Sequence, residues 1–309
     1  MPIRTVRLTS EHHFGRRLPR RAGRMIDAVL DLTPRVVTMA FRRRSFGPKP
    51  AWLKAATDFR FVGHDGEDAT NLHFEAPLFG DAAPREYDQG EFWPTKPSPQ
   101  DTGFEVFADM LLDLVAGNRD SDRFDRPLLR HLIELRGAFR LLFRSMEIGG
   151  ERAPLGSGPA LDAASIGTAR AFYDSTPGSR RLKVYGKLDM VRASSQRFAL
   201  LLPNGEEAQG ILKEGDICEF QGLLAKPIVV FGKAVYRPSG RLLRIDADKI
   251  EAGSSADEFF GKIPAGIYTR PSSPKHSALA GKGGIQAVFG KWPGNETDIQ
   301  IAEALRRLS

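Results

Sequence analysis

The chain has 309 residues, of which 41% are hydrophobic and 27% are charged, and its formal net charge at pH 7 is +7. This composition is that of a folded, water-soluble protein and excludes a disordered or fibrous chain, and the length indicates about two domains. No window approaches the ~20 apolar residues that a membrane span requires, so we expect no membrane partner. The single cysteine excludes an intramolecular disulfide and predicts a cytoplasmic protein.

The positive charge is concentrated near the N-terminus. Residues 1–60 contain fourteen Lys and Arg against four Asp and Glu, a local +10, and subtraction from +7 leaves −3 for the remaining chain. Arg42, Arg43 and Arg44 form one of the clusters. Clustered cations attract polyanions, and nucleic acid or an acidic protein is the expected partner. A solvated surface that keeps the protein soluble explains the same residues.

Residues 1–176 are predicted to form an α+β domain of helices and an antiparallel sheet. Apolar residues recur at helical spacing between Ala22 and Leu32, and Pro34 is expected to end that helix. The next segment, Arg35–Phe41, is rich in β-branched and apolar residues and is predicted as a strand, with a helical turn as the alternative.

A hairpin and a loop are predicted next. The runs 58–62 and 70–74 alternate apolar and polar residues across a polar turn, which is typical of two paired strands. Residues 76–99 hold five of the 21 prolines and are interpreted as an irregular surface loop.

Three helices are predicted after this loop. Thr102 and Glu105 have the spacing of a capping box, so they mark the start of the first. The second is expected to begin after Asp125 and to run to Leu142, and the third covers 162–173. The acidic cluster of Asp120, Asp122 and Asp125 is interpreted as helix capping, because the turn glycine and distal glutamate of a calcium loop are missing.

Residues 177–252 are predicted to form a small β-module. Five strand-like runs recur at short spacing: Leu182–Val191, Arg197–Leu202, Glu206–Leu212, Pro227–Tyr236 and Leu242–Ile250. Asn204 and Gly205 suit a two-residue hairpin turn, and Gly186 and Gly232 fall where a closing sheet must bend. An OB-like or SH3-like barrel fits this pattern, and an open sheet packed on the first domain is the alternative.

Residues 253–309 are interpreted as an irregular tail with a terminal helix. The segment Gly290–Asp298 reads Gly-Lys-Trp-Pro-Gly-Asn-Glu-Thr-Asp and precedes a short helix ending Arg-Arg-Leu-Ser. It resembles the C-terminal tails of a family of uncharacterised bacterial proteins, in which Asp is more usual than Asn295. The stretch from Tyr236 to Ile250 also resembles the end of the β-module in that family. The resemblance implies a bacterial source and no particular activity.

No motif in the sequence predicts a catalytic centre, a metal site or a cofactor. The expected function is therefore non-catalytic binding of nucleic acid or another polyanion through the basic N-terminal residues and the module loops. Loops of the barrel are among the elements by which OB-folds contact their ligands. The predicted contact residues are Arg42, Arg43, Arg44, Tyr185, Arg192, Arg197, Tyr236, Arg237 and Arg241. The tyrosines are predicted to stack on bases.

Two further functions stay open. The first is an accessory subunit that docks on a partner protein through the terminal helix, with Trp292, Leu305 and Leu308 as the contact residues. The second is an enzyme of unknown class. The oligomeric state is not predicted.

Overall fold

Two β-sheets, each with its own apolar core, organise the protein. The computed structural model describes residues 1–11, 20–47, 50–66, 69–87, 96–141, 143–150, 154–156, 158–193 and 195–268. Residues 1–268 form one unit, and that unit contains both sheets. The division of this part of the chain into 1–176 and 177–252 therefore stays a prediction.

The first sheet is antiparallel throughout. Its strands are β1 (Ile3–Thr9), β2 (Arg60–Asp65), β3 (Thr70–Glu75), β4 (Ser145–Gly149) and β5 (Ala160–Asp162), in the spatial order β2-β3-β1-β4-β5. The predicted hairpin is confirmed as β2 and β3. Strands β1, β4 and β5 are not among those predicted from the sequence.

The helices of the described residues pack with this sheet around one apolar core. They are α1 (Arg20–Arg42), α2 (Ala51–Ala56), α3 (Phe79–Ala82), α4 (Gly103–Val115), α5 (Arg126–Glu134), α6 (Arg136–Leu141) and α7 (Ala163–Ser175). The predicted capping box of α4 is present, because Thr102 accepts from the backbone of Phe104 and Glu105 accepts from the backbone of Thr102. Asp125 caps α5 as predicted, but the expected single helix to Leu142 is interrupted at Leu135.

The predicted strand Arg35–Phe41 is wrong, because α1 continues through Pro34 to Arg42. A proline inside a helix removes one backbone hydrogen bond and bends the axis. Burial outweighs this cost here: the helical repeat buries the side chains of Leu32, Val36, Met39 and others against the core of the first sheet. Tertiary packing thus overrides a local preference for extended structure.

The second sheet is a closed barrel of five strands. They are β6 (Arg180–Arg192), β7 (Arg197–Leu201), β8 (Glu207–Leu212), β9 (Pro227–Tyr236) and β10 (Leu242–Ala252), in the order β10-β8-β7-β6-β9. Antiparallel pairing of β9 with β10 and parallel pairing of β8 with β10 complete the closure. The predicted five-stranded barrel is confirmed, and the parallel pair between its third and fifth strands gives the OB-like order.

Glycines occupy the tight turns of the barrel. Gly205 and Gly240 adopt φ of +83° and +88°, which glycine tolerates at tight turns. A 3-10 helix, Ile217–Leu223, occupies the connection between β8 and β9. Gly232 lies beside an irregularity in the β9–β10 register, as expected for a strand that bends.

No helix in the described ranges is both long and apolar enough to cross a membrane. The predicted terminal helix, with Trp292, Leu305 and Leu308, lies outside the described residues, as does the Gly290–Asp298 segment.

Candidate anion-binding site

Two of the predicted arginines share one partly exposed carboxylate, that of Asp122. Arg237, at the start of the β9–β10 turn, donates from Nε to Oδ1 of Asp122 at 3.0 Å, and its guanidinium also contacts the backbone oxygen of Leu242. Arg43, at the end of α1, forms an ion pair with Asp122. Burial alone would raise the pKa of Asp122, but Arg43 and Arg237 outweigh it and hold the pKa below its ordinary value. Both arginines therefore bind the segment 120–125 that precedes α5, which we call the acidic loop.

The other predicted module arginines occupy different environments. The side chain of Arg197 is buried, and its Nη2 donates to Oε1 of Gln209 at 2.8 Å. Arg192 is half-buried at the end of β6. The Arg241 side chain is exposed, and its Nη1 lies 3.9 Å from Oδ1 of Asp120. The structure does not bring these three arginines and Arg237 into one cluster of exposed cations.

The two predicted tyrosines lie on different sides of the barrel wall. Tyr236 is 2% exposed in the barrel core, and its hydroxyl donates to the backbone oxygen of Pro264 at 2.8 Å. Its ring is not accessible for stacking on a base in this arrangement. Tyr185 is half-buried among the outward-facing residues of β6.

Arg42 and Arg44 are half-buried beside Arg43 at the end of α1. Burial lowers the pKa of Arg44, and repulsion from Arg42 and Arg244 adds to this effect, while Asp246 opposes it. The basic N-terminal cluster thus reaches β10, where Arg244 and Asp246 lie.

A cavity of about 700 Å³ lies between helices α5 and α7 and the outer face of β9 and β10. We call it the anion pocket. Its charged lining side chains are the cations Arg126, Arg130, Lys213, Lys233 and Arg244 and the carboxylates Glu134 and Asp246. Five positive and two negative charges leave +3 with His131 neutral. Phe46 and Tyr173 also line the cavity, and Tyr236, which is 2% exposed, borders it from the barrel core.

Arg244 forms the buried base of the anion pocket. Its side chain is 1% exposed, and its Nε donates to Oδ1 of Asp246 at 2.7 Å. Its Nη1 donates to the backbone oxygen of Arg43 at 2.7 Å and lies 3.3 Å from Oδ2 of Asp125. Nη2 has no hydrogen-bond partner among the described residues. The Phe46 ring lies over the guanidinium, with 5.7 Å between its centroid and Cζ.

The cations from α5 lie nearer solvent. Arg126 and Arg130 are four residues apart on this helix, so they point to the same side. The Arg126 guanidinium lies over the ring of Tyr173, with 4.6 Å from Cζ to the centroid. Arg130 Nε is 3.5 Å from Glu134 Oε1, and His131 Nδ1 is 3.0 Å from Oε2 of the same carboxylate.

The barrel contributes the remaining two cations. Strand alternation turns Ala234 into the barrel core and leaves its neighbour Lys233 exposed, opposite Asp246 of β10. Lys213 follows β8 and donates to Oδ1 of Asp248 at 2.6 Å. This hydrogen bond lowers the pKa of Asp248, and the charges of Lys213, Lys233 and Arg181 add to it.

None of the charged residues of the anion pocket was predicted from the sequence as a contact residue. The signals available were the four-residue spacing of Arg126 and Arg130 and the outward position of Lys233 on a predicted strand. Neither signal says that the two elements meet. Among the described residues, no group of three His, Cys, Asp or Glu side chains is placed to hold a metal ion.

No protein-family model matches the chain, and no curated protein and no solved structure matches it either.

Proposed function

We propose that the protein binds nucleic acid without catalysing a reaction on it, and that the anion pocket receives the phosphate groups. One observation carries this proposal: five cationic side chains from α5, the end of β8, β9 and β10 line the same cavity. Such a concentration of positive charge raises the local concentration of a polyanion and supplies donors for phosphate oxygens.

The aromatic residues support nucleic acid as the polyanion. Phe46 is 45% exposed at the anion pocket, so one face of its ring is open to contact. Tyr173 is half-buried, with Arg126 over its ring. Stacking of bases on aromatic rings, together with cationic contacts to phosphates, is the usual mode of binding to single strands. The single cysteine favours a reducing compartment, so we place this activity in the cytoplasm.

The proposed contact surface is the anion pocket and not the module loops that the sequence predicted. Arg43 and Arg237 are engaged with Asp122, and Tyr236 is in the barrel core. The accessory-subunit alternative depends on the terminal helix, which lies outside the described residues, and it stays a prediction.

Fluorescence anisotropy with labelled single-stranded RNA and DNA of mixed sequence tests the proposal. We expect affinity to fall steeply as salt rises, because bound phosphates release counterions. A triple variant, Arg126→Gln, Arg130→Gln and Lys233→Gln, should reduce the slope of log affinity against log salt by roughly 2 to 3, about one unit for each lost phosphate contact.

The matched control removes three cations that do not line the anion pocket: Lys54→Gln, Arg85→Gln and Lys226→Gln. It changes the net charge by the same amount and should leave the slope nearly unchanged. An equal reduction of the salt slope in the two triple variants would mean that binding depends on the overall charge and not on the anion pocket. Failure of the unmodified protein to bind either nucleic acid at low salt would reject the proposed function.

A further inference from the structure

The anion pocket is graded from an exposed rim to a buried base. At the rim, the side chain of Arg130 is 70% exposed. At the base, the side chain of Arg244 is 1% exposed. A ligand that contacts both must therefore place one group deep in the cavity and leave the rest of its length at the surface.

Arg244 has a hydrogen-bond donor that the described residues do not use. Asp246 and Asp125 bind Nε and Nη1, and together they hold the guanidinium in one orientation. Nη2 is buried, and no described residue accepts a hydrogen bond from it. A buried donor without an acceptor is unfavourable, so an oxygen that accepts from Nη2 is bound favourably. Because Nη2 is enclosed, a ligand reaches it only when a covering side chain moves, and Phe46, which lies over the guanidinium and is itself exposed, is the side chain placed to do so.

The burial of Arg244 limits which phosphate can reach this donor. An internal phosphodiester has chain on both sides, so both flanking nucleotides would have to approach the buried base with it. A terminal phosphate is attached on one side only. It also carries about −1.5 to −2 charge at pH 7 and three unesterified oxygens.

We propose that the base of the anion pocket binds the terminal phosphate of a nucleic acid strand, while the rim cations contact the phosphates that follow. This inference rests on the proposed function and specifies its ligand. Arg244 Nη2 donates to a terminal oxygen, and Lys233, which lies opposite Asp246, contributes charge from the adjacent strand. Phe46 offers an apolar face above the guanidinium to the terminal nucleotide.

The carboxylates near the base set the strength of this preference. Asp246 lines the cavity and Asp125 lies behind it, and both repel an incoming dianion while they orient Arg244. The preference for a phosphorylated end should therefore increase when one of these charges is removed without loss of the hydrogen bond. Asp246→Asn does this, because the amide oxygen still accepts from Nε.

The test compares three forms of one single-stranded oligonucleotide: with a 5′-phosphate, with a 3′-phosphate, and with hydroxyls at both ends. Binding to the full-length protein is measured at one salt concentration by competition against a labelled strand. We expect one phosphorylated form to bind about 10-fold more tightly than the unphosphorylated form, the increment typical of a hydrogen bond to a charged group. Inorganic phosphate in the same series separates a site for free phosphate from one for a strand end.

Variants assign the preference to the base of the pocket. Arg244→Lys should abolish the ratio between phosphorylated and unphosphorylated strands, while Arg130→Gln at the rim should weaken all forms by the same factor. If Arg244→Lys does not fold, Asp246→Asn decides, with an expected increase in the ratio of at least about 3-fold from the loss of one nearby like charge.

The outcomes separate the two proposals. Equal binding of the three strand forms, or an unchanged ratio in Asp246→Asn, would overturn the terminal-phosphate inference and leave the proposed function in place. Competition by inorganic phosphate as strong as by the phosphorylated strand would also overturn it. Absence of binding by every form at low salt would reject the proposed function itself.

Discussion

Asp125 joins three separate parts of the chain. It accepts from the backbone nitrogen of Ser45 at 3.1 Å and from its hydroxyl at 2.5 Å. It also caps α5 by accepting from the backbone of Leu128 at 3.1 Å, and it lies 3.3 Å from Nη1 of Arg244. Its side chain is fully buried. The sequence predicts the cap, because the capping partner is three residues away, but it gives no signal for Arg244, which is 119 residues away.

We expect Asp125→Ala to lower the free energy of unfolding by about 3–5 kcal/mol, because it leaves the buried Arg244 charge with less compensation. Urea denaturation at pH 7 measures this value. The control, Asp174→Ala, removes an exposed carboxylate that pairs with Arg170 and should cost no more than about 0.5 kcal/mol. A loss of the same size in both variants would show that Asp125 does not balance Arg244.

Among the elements, strand β8 requires a glycine at position 210. A Cβ added to Gly210 would lie 2.1 Å from Cζ of Phe198, which is buried in the barrel core. The two residues are directly opposite in the β7–β8 register. Glycine is required here by the close approach of an aromatic ring, so the ring fills the space that a larger neighbour would take.

Gly210→Ala should therefore destabilise the protein by about 1–3 kcal/mol through overpacking. Phe198→Leu alone is also expected to destabilise, because it removes buried volume. In the double variant the smaller side chain makes room for the new methyl group, so the two losses should sum to more than the measured loss. Thermal or urea unfolding of all four proteins gives the coupling, and strict additivity would contradict the steric explanation.

The barrel strands could be predicted from sequence and the first sheet only in part, for reasons that particular residues explain. The barrel has strands bounded by turn residues such as Asn204 and Gly205, so local signals mark its edges. Strand β1 was missed because Arg4 faces the core, where it pairs with buried Glu105 and breaks the apolar alternation. Helix α1 was divided at Pro34, since a local rule cannot weigh the burial that carries the helix past it.

At the scale of the whole molecule, the acidic loop before α5 connects the helical part to the barrel. Asp122 binds Arg43 and Arg237, and Asp120 accepts from the hydroxyl of Ser239 at 2.5 Å. The anion pocket lies at the same junction and takes its cations from both parts. The sequence is enough to assign these cations to their helix or strands. It does not show that the helix and the strands pack against each other, because they are far apart along the chain.

The Asp122 contacts should weaken in acid. The pKa of Asp122 is below its ordinary value of 3.8, so its contribution to stability is fully present above that value and is lost as the pH falls through the lowered pKa. We expect Asp122→Asn to cost about 1 kcal/mol at neutral pH, the order of a partly exposed ion pair. The difference in unfolding free energy from the unmodified protein should stay constant down to about pH 4 and shrink below it. Urea titrations at a series of pH values measure this difference, and a gap that is the same at pH 3 and pH 7 would contradict the assignment.

Strand β10 belongs to both cores at once. Leu243 packs with the apolar residues of the first sheet, whereas Ile245 and Ala247 fill the barrel that β10 closes against β8 and β9. During synthesis on the ribosome, neither core can be completed until this late segment has emerged from the exit tunnel. The first sheet and the barrel are therefore expected to complete their folding at the same time, although the strands of the first sheet come before those of the barrel along the chain.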